Sequence, residues 1–350
     1  MRALRIQRWQ SEAELVEVDQ PHPAPGQVVI KVGGAGACHS DLHLMEATGV
    51  PWSLPLTLGH ENAGWVYELG AGITSLRLGQ AVAVHGPWGC KTCARCVTGA
   101  DNYCENPLGA PVPGGGGGLG ADGGMAEFML VPDVRYLVPL PDGLLPMAAA
   151  PLTDAGLTSY HAIRRSWPKL EPSATAVVIG IGGLGHMAIQ ILKVTTAARI
   201  IAVDNRESAL ELARTLGADL ALSTSDSAAT EIKAATPGGR GADVVLDCVG
   251  TAETLTLASR CARTLGDVTV VGVAGGTVPF GFFTAPYEVS FQSVYWGTRP
   301  ELVEVLDLGA RGHLRPITTT YPLDQAAQAY RDLAAGYVTG RAVVVPNEVA

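Results

Sequence analysis

The stretch from Ala174 to Lys193, ATAVVIGIGGLGHMAIQILK, constrains the fold more than any other. Ala176, Val177, Val178 and Ile179 form a short apolar run that reads as a buried parallel strand. Gly180, Gly182 and Gly185 follow in G-x-G-x-x-G spacing, and Leu184, Ala188, Ile191 and Leu192 then recur at helical spacing. Strand, glycine turn and helix is the context a dinucleotide fingerprint requires. The first glycine permits the tight turn, the second lets backbone approach a pyrophosphate, and the third lets helix pack on strand. Gly182, Gly183, Leu184 and Gly185 would then face the phosphates with the free N–H groups of a helix N-terminus. In a chain with 43 glycines the motif alone is weak, and a glycine turn in another α/β protein is its bland alternative. Asp204 strengthens it by closing the next apolar run, Arg199–Val203. An acid there accepts from ribose hydroxyls and repels a 2′-phosphate, which favours NAD over NADP. Asn205 and Arg206 flank it, and Arg206 is able to accommodate a phosphate, with Asp204 expected to dominate.

The sequence after Pro151 alternates strand and helix patterns: the opening strand, Arg199–Val203, a helix Ser208–Leu216 ended by Gly217, and Leu220–Leu222. Asp243–Asp247 follows, then a helical pattern to about Arg263, then Asp267–Val273 and Ser290–Trp296. Six β segments in one βαβα series predict an α/β fold, a doubly wound parallel sheet. Val249-Gly250, Gly272-Val273 and Val294-Tyr295 follow its later strands and are expected to line the nicotinamide side.

A length of 350 residues argues for two domains. The first 36 residues alternate and turn often, and Pro21–Gly26 cannot be helix, so antiparallel β structure is expected there and again from Ala63 to Val84. Gly114–Gly118 reads by composition as a loop, a plain surface connection ahead of a mobile lid. A helical stretch, Glu301–Gly309, and a last β run, Arg341–Val345, are expected to return to the first domain. The expected boundaries are 1–155 with 299–350 for a β-rich domain and 156–298 for the dinucleotide domain.

A net charge of −9 argues against nucleic acid as partner, since that affinity rests on cations at phosphates. No apolar run reaches the roughly 18–20 residues that cross a bilayer. The opening MRALRIQRWQ lacks a signal peptide's apolar segment, so a cytoplasmic location is expected. Cys90, Cys93, Cys96 and Cys104 form C-x2-C-x2-C-x7-C, in a loop of about residues 88–105. Four such thiolates close a tetrahedral zinc shell with no open position, a structural site. An Fe–S cluster or unliganded thiols are the alternatives. Cys248 and Cys261 lie in apolar surroundings and read as core.

A second ligand set, Cys38, His60 and Asp154, with Glu61 beside the histidine, is spread over more than a hundred residues. Catalytic zinc typically keeps three protein ligands and one open place. Singly, each has a plainer reading: a small buried cysteine, a satisfied core histidine, and an N-cap for a helix Ala155–Ile163. Taken together, Cys38-His39-Ser40-Asp41-Leu42-His43, Gly59-His60-Glu61, the cysteine cluster and Gly180–Gly185 occur in an order and spacing that resembles the zinc-dependent medium-chain alcohol dehydrogenases. The resemblance spans essentially the whole chain. It implies a GroES-like β-rich catalytic domain, a Rossmann coenzyme domain, a cleft between them, NAD, and two zinc ions per chain. Catalytic zinc would be held by Cys38, His60 and Asp154, with Glu61 an acid able to approach it. Asp154 departs from the best-known members, which carry Cys there.

Zinc lowers the pKa of a bound hydroxyl, as it does that of water to about 7. By the same resemblance the proton leaves through Ser40 and the nicotinamide ribose to His43 near solvent, and the carbon delivers hydride to NAD. His39 and Arg341 match positions near the pyrophosphate in that family, although His39 also reads as a plain loop histidine and Arg341 as a strand-edge cation. Trp52, Trp296 and Leu119 are candidate substrate-pocket walls, with core packing as the alternative for the tryptophans. Apolar walls suit alkyl or aryl alcohols and ketones better than polyols. The alternatives are a polyol or amino-alcohol dehydrogenase of the same architecture, and a non-catalytic NAD(H)-binding zinc protein. The family suggests a homo-oligomer, a tetramer ahead of a dimer.

Overall fold

Val28–Ala37 is buried along nearly its whole length because it is paired on both edges. In the computed structural model, which describes residues 1–347, it is a central strand of a seven-stranded sheet. Leu137–Pro139, Ala81–Val84, Glu61–Leu69, Val28–Ala37, Arg341–Val345 and Thr318–Pro322 lie side by side in that order. Phe128–Val131 also pairs with Val28–Ala37. The chain divides into two compact units, Met1–Leu157 with Trp296 onwards, and Thr158–Tyr295. Arg341–Val345 returns to the first unit, with Val343 opposite Gly36.

The second unit is a six-stranded sheet in the order Leu220–Ser223, Arg199–Asp204, Thr175–Ile179, Ala242–Asp247, Ala262–Val270, Ser290–Ser293. Every pairing in it is parallel. Thr175–Ile179 and Ala242–Asp247 are buried throughout, which is why they read as unbroken apolar runs. The α/β doubly wound architecture matches expectation, with shifts at the far edge. The fifth strand begins at Ala262, immediately after the helix Ala252–Cys261, although the sequence pattern starts only at Asp267. Its register breaks between the pairs Ala242–Ala262 and Val244–Asp267, and Leu265 takes φ 65°, so the first half carries no alternation to read. The sixth strand stops at Ser293 rather than Trp296, whose φ of 50° cannot extend a strand.

The elements of the first unit that the sequence did not mark include the helices His39–Glu46 and Ala326–Ala334 and the strands Phe128–Val131, Leu137–Pro139 and Thr318–Pro322. The glycine-rich segment is a correction. Gly115–Gly118 is buried, and Gly116–Gly117 pairs with Gly120–Ala121. Glycine here is a close-packing residue: a Cβ on Gly116 would meet the Gly86 carbonyl, and one on Gly118 the Gly59–His60 peptide. Among the described residues no helix is long and apolar enough to cross a membrane.

Candidate active site

Cys38, His60 and Asp154, 22 and 94 residues apart in sequence, each bring one ligand atom into a group whose members lie within 4.8 Å of one another. Cys38 follows the central strand Val28–Ala37 and caps the helix His39–Glu46 in an extended conformation. His60 follows the Gly59 turn and stands immediately before the strand Glu61–Leu69. Asp154, half-buried, precedes the helix Ala155–Arg165. His60 Nε2 is 3.5 Å from Asp154 Oδ2, and Cys38 Sγ is 3.5 Å from the Ser40 hydroxyl.

The histidine is aimed by a carboxylate. His60 Nδ1 donates to Asp41 Oδ1 at 2.9 Å, which leaves Nε2 for the thiol and Asp154. Asp41 is fully buried, and its Oδ2 accepts from the Cys38 N–H at 3.0 Å and the Tyr330 hydroxyl at 2.9 Å. Burial by itself lowers the His60 pKa, but Asp41, Asp154 and Cys38 together hold it well above its usual value. A cysteine sulfur, an imidazole nitrogen and a carboxylate converging there fit Zn²⁺ with one place left open.

Glu61 and Arg341 form the next layer. Arg341 Nε donates to Glu61 Oε2 at 2.8 Å, its Nη2 donates to Oε1, and the Ala155 N–H reaches Oε1 at 3.1 Å. Burial pushes the Glu61 carboxyl up to about 7 against the pull of Arg341. Glu61, expected as an occasional ligand, is thus turned to arginine and lies outside the ligand group. Arg341, expected at the pyrophosphate, is buried beside Glu61, with Nη2 3.7 Å from Asp154 Oδ2. Ser40 and His43 lie one turn apart on the helix His39–Glu46, Ser40 half-buried and His43 exposed, while His39 is exposed. Trp296 is buried with its ring edge-on to His60, centroids 5.8 Å apart. Trp52 and Leu119 are half-buried on the glycine-rich segment, the Trp52 indole N–H 3.4 Å from the Pro113 carbonyl.

Cys90, Cys93, Cys96 and Cys104 also converge within 4.8 Å. Backbone N–H groups point at the sulfurs: Cys93 N–H to Cys90 at 3.4 Å, Cys96 N–H to Cys93 at 3.4 Å, Cys90 N–H to Cys104 at 3.3 Å. Such bonds favour thiolate, and those from Thr92 and Cys93 bring Cys90 down to about 6. Four converging sulfurs, three of them with N–H donors already in place, fit a closed tetrahedral zinc site. Outside the cluster, Arg135 ties Asp101 and the Cys96 carbonyl together at 3.1 and 2.6 Å.

In the second unit Gly180 turns the chain at φ 84° after the strand Thr175–Ile179. A Cβ on Gly185 would lie 2.0 Å from the Gly180 carbonyl oxygen, whereas one on Gly182 would meet nothing within 4 Å. The loop is therefore tight on its inner side and open at Gly182, with Gly183 and Leu184 half-buried beside it. The Asp204 carboxylate accepts from the Ile181 N–H at 2.7 Å and from the Arg206 N–H at 3.0 Å, and Arg206 Nε lies 3.3 Å from it. Asn205 is exposed. This loop fits a dinucleotide phosphate, with an acid set beside it. Sequence reasoning missed Asp247, whose Oδ1 accepts from the N–H groups of Val249 and Gly250, both at 3.0 Å. It also missed Asp41 and Tyr330. Gly272 and Val294 are half-buried, Val273 and Tyr295 exposed.

Comparison with known proteins finds a family match in each part of the chain. Residues 24–142 match the alcohol dehydrogenase GroES-like domain, and residues 183–311 match the zinc-binding dehydrogenase domain. The chain belongs to the zinc-dependent medium-chain alcohol dehydrogenase family. It is 37% identical to an NAD-dependent alcohol dehydrogenase of Sulfurisphaera tokodaii, over 99% of this chain and 100% of the relative. It is 34% identical to a D-arabinose 1-dehydrogenase (NADP(+)) of Saccharolobus solfataricus, over 99% and 97%. The crystal structure of the alcohol dehydrogenase of Aeropyrum pernix superposes with a TM-score of 0.90 at 35% identity, covering 99% and 100%. The first match lies within the unit Met1–Leu157, and the second begins in the unit Thr158–Tyr295 and runs on to residue 311, in keeping with the GroES-like and Rossmann-type domains of this family.

Proposed function

We propose that this member of the alcohol dehydrogenase family is an NAD-linked, zinc-dependent alcohol dehydrogenase and carbonyl reductase acting on small apolar alcohols and ketones, secondary as well as primary. The observation that carries the reading is the convergence of Cys38, His60 and Asp154 with a hydroxyl, Ser40, one contact away. Zinc bound there supplies a Lewis acid for the substrate oxygen, and NAD supplies the hydride acceptor. The chain's own residues do the rest. Ser40 takes the substrate proton, and His43, one turn along the same helix, passes it to solvent. Trp296, packed on His60, forms an apolar wall that suits alkyl and aryl groups. Gly180, Gly182, Gly183, Leu184 and Gly185 hold the pyrophosphate, Asp204 reads the ribose, and the cysteine loop binds a second, structural zinc. Free cysteines throughout the chain accord with a reducing cytoplasmic location.

A sugar or polyol dehydrogenase is the second reading, supported by the D-arabinose 1-dehydrogenase relative. Steady-state rates on 2-alkanols, aryl ethanols, D-arabinose, sorbitol and threonine, each with NAD and NADP, separate the two. Activity confined to the polyhydroxylated or amino substrates sinks the first reading. Metal analysis separates an enzyme, with two zincs per chain, from a binding protein that keeps one after loss of Cys38 and His60. Self-association, a tetramer ahead of a dimer, is supported by the edge strand Ser290–Ser293 and the exposed Phe282, Phe283 and Tyr287 near it. Light scattering of the purified chain tests it, and a monomer would refute it.

A further inference from the structure

Asp41 serves two of the three metal ligands at once. One carboxylate oxygen takes the His60 Nδ1 proton at 2.9 Å, and the other takes the Cys38 N–H at 3.0 Å. What holds Asp41 itself comes from 289 residues away: the Tyr330 hydroxyl donates to Oδ2 at 2.9 Å. Tyr330 is 4% exposed, on a helix face whose other buried residues, Ala326, Ala329 and Leu333, are apolar. Phenylalanine would satisfy that packing, and a hydroxyl buried among apolar side chains is costly unless it is bonded. Burial and Asp41 keep the phenol protonated, its pKa raised well above the usual value, so tyrosine is the donor and Asp41 the acceptor.

We propose that Tyr330 is a positioning residue for the metal centre, acting through Asp41 on His60 and Cys38. Three donors fix the plane of one buried carboxylate. Nδ1 stays on Oδ1 as a result, and Nε2 stays directed at the position shared with Cys38 and Asp154. The hydroxyl also takes a share of the carboxylate's negative charge, so Asp41 orients the imidazole without drawing off its Nδ1 proton. The proposal rests on the metal reading of Cys38, His60 and Asp154.

The test uses the full chain stripped of metal, with two tyrosine variants. Tyr330→Phe removes one oxygen from the centre. Tyr321→Phe removes an equal 2.9 Å hydrogen bond, to Asp332, with no link to Asp41. Zinc affinity is measured by competition with a chromophoric chelator, and ligand geometry by the visible absorption of the Co²⁺-loaded chain. Loss of an outer partner costs about 10–100-fold in metal affinity, and Tyr330→Phe should fall near the lower end, about 10-fold, with shifted Co²⁺ bands. Tyr321→Phe should retain wild-type affinity and spectrum. On an Asp41→Asn background, Tyr330→Phe should add less than about twofold, because the path is already cut. If Asp41→Asn does not fold, the two tyrosine variants still decide. Unchanged affinity and spectrum in Tyr330→Phe overturn the proposal, as does an equal loss in Tyr321→Phe or full additivity with Asp41→Asn. A wild-type chain that takes up metal only at the four cysteines overturns the metal reading and the proposal with it.

Discussion

Adding one methyl group at Gly118 tests how the glycine-rich segment supports the proposed metal centre. Gly118 sits at φ 83°, and a Cβ there would lie 2.3 Å from the Gly59 carbonyl oxygen, 2.4 Å from its carbon and 2.7 Å from the His60 nitrogen. Ordinary contact begins at 3.4 Å, so the Gly59–His60 peptide must retreat by about 1 Å. That peptide leads directly into a ligand, and a displacement of about 1 Å near a catalytic centre costs on the order of 100-fold in rate. Two other effects accompany it: about 1–2 kcal/mol for an L-residue in the left-handed region and about 1–3 kcal/mol for overpacking. Gly114→Ala separates these effects, because Gly114 shares the left-handed conformation (φ 63°) but a Cβ there meets nothing within 4 Å. Gly118→Ala is therefore expected to lose turnover by about 100-fold and to bind zinc more weakly at the proposed Cys38–His60–Asp154 site, whereas Gly114→Ala loses only stability. Zinc content by atomic absorption, turnover on a 2-alkanol and the urea midpoint are measured on both. If Gly118→Ala keeps the turnover and zinc content of Gly114→Ala, the segment does not position His60 and the reasoning fails.

Three further outcomes follow from residues described above. Ser40→Ala should cut turnover by about 10²–10⁴-fold while NAD affinity measured by fluorescence titration is unchanged, and unimpaired turnover removes Ser40 from the proton path. Asp204→Ala removes a carboxylate whose charged hydrogen bonds are worth about 1.5–3 kcal/mol, so the kcat/KM preference for NAD over NADP should relax by about 10–100-fold; an unchanged ratio means another group reads the ribose. His85 is fully buried, with Nε2 3.0 Å from the Gly297 carbonyl, and burial brings its pKa down to about 4. The unfolded chain therefore takes up a proton between pH 6.5 and 4 that the folded chain refuses. The stability this group confers is complete above pH 6.5 and is lost as pH falls, by up to about 3 kcal/mol near pH 4. Urea midpoints from pH 7 to 4.5 should fall less steeply in His85→Gln, and parallel curves would refute the assignment.

The second unit was legible because its physics is local. Strands buried on both faces spell themselves as apolar runs, as Thr175–Ile179 and Ala242–Asp247 do, and a helix that must touch its strand needs Gly185. In the first unit burial is achieved by backbone meeting backbone. There the same residue type misleads: Gly115–Gly118 has the composition of a surface loop and lies inside the molecule. Glycine marks a place where a side chain does not fit, and composition alone does not say whether the space beyond is water or a peptide group.

The candidate metal centre shows a second limit. Each of Cys38, His60 and Asp154 had a plainer single-residue reading, and only the resemblance joined them; the fold brings their ligand atoms within 4.8 Å. Asp41 was within reach of sequence reasoning, since an acid three residues after Cys38 is the capping-box position of a helix. That helix was not named because its apolar residues, Leu42, Leu44 and Met45, fall at neither clean helical nor clean strand spacing. Tyr330 and Arg341 carry no such local mark. Each lies about 280 residues or more from the acid it binds, and what defines it is a buried charge that needs a donor. A buried carboxylate without partners is expensive, so once Asp41 and Glu61 are inside, the fold has to bring donors to them. The sequence shows neither which residues are inside nor which distant element arrives beside them, and so the partners of buried acids are the part of such a centre that only three dimensions reveal.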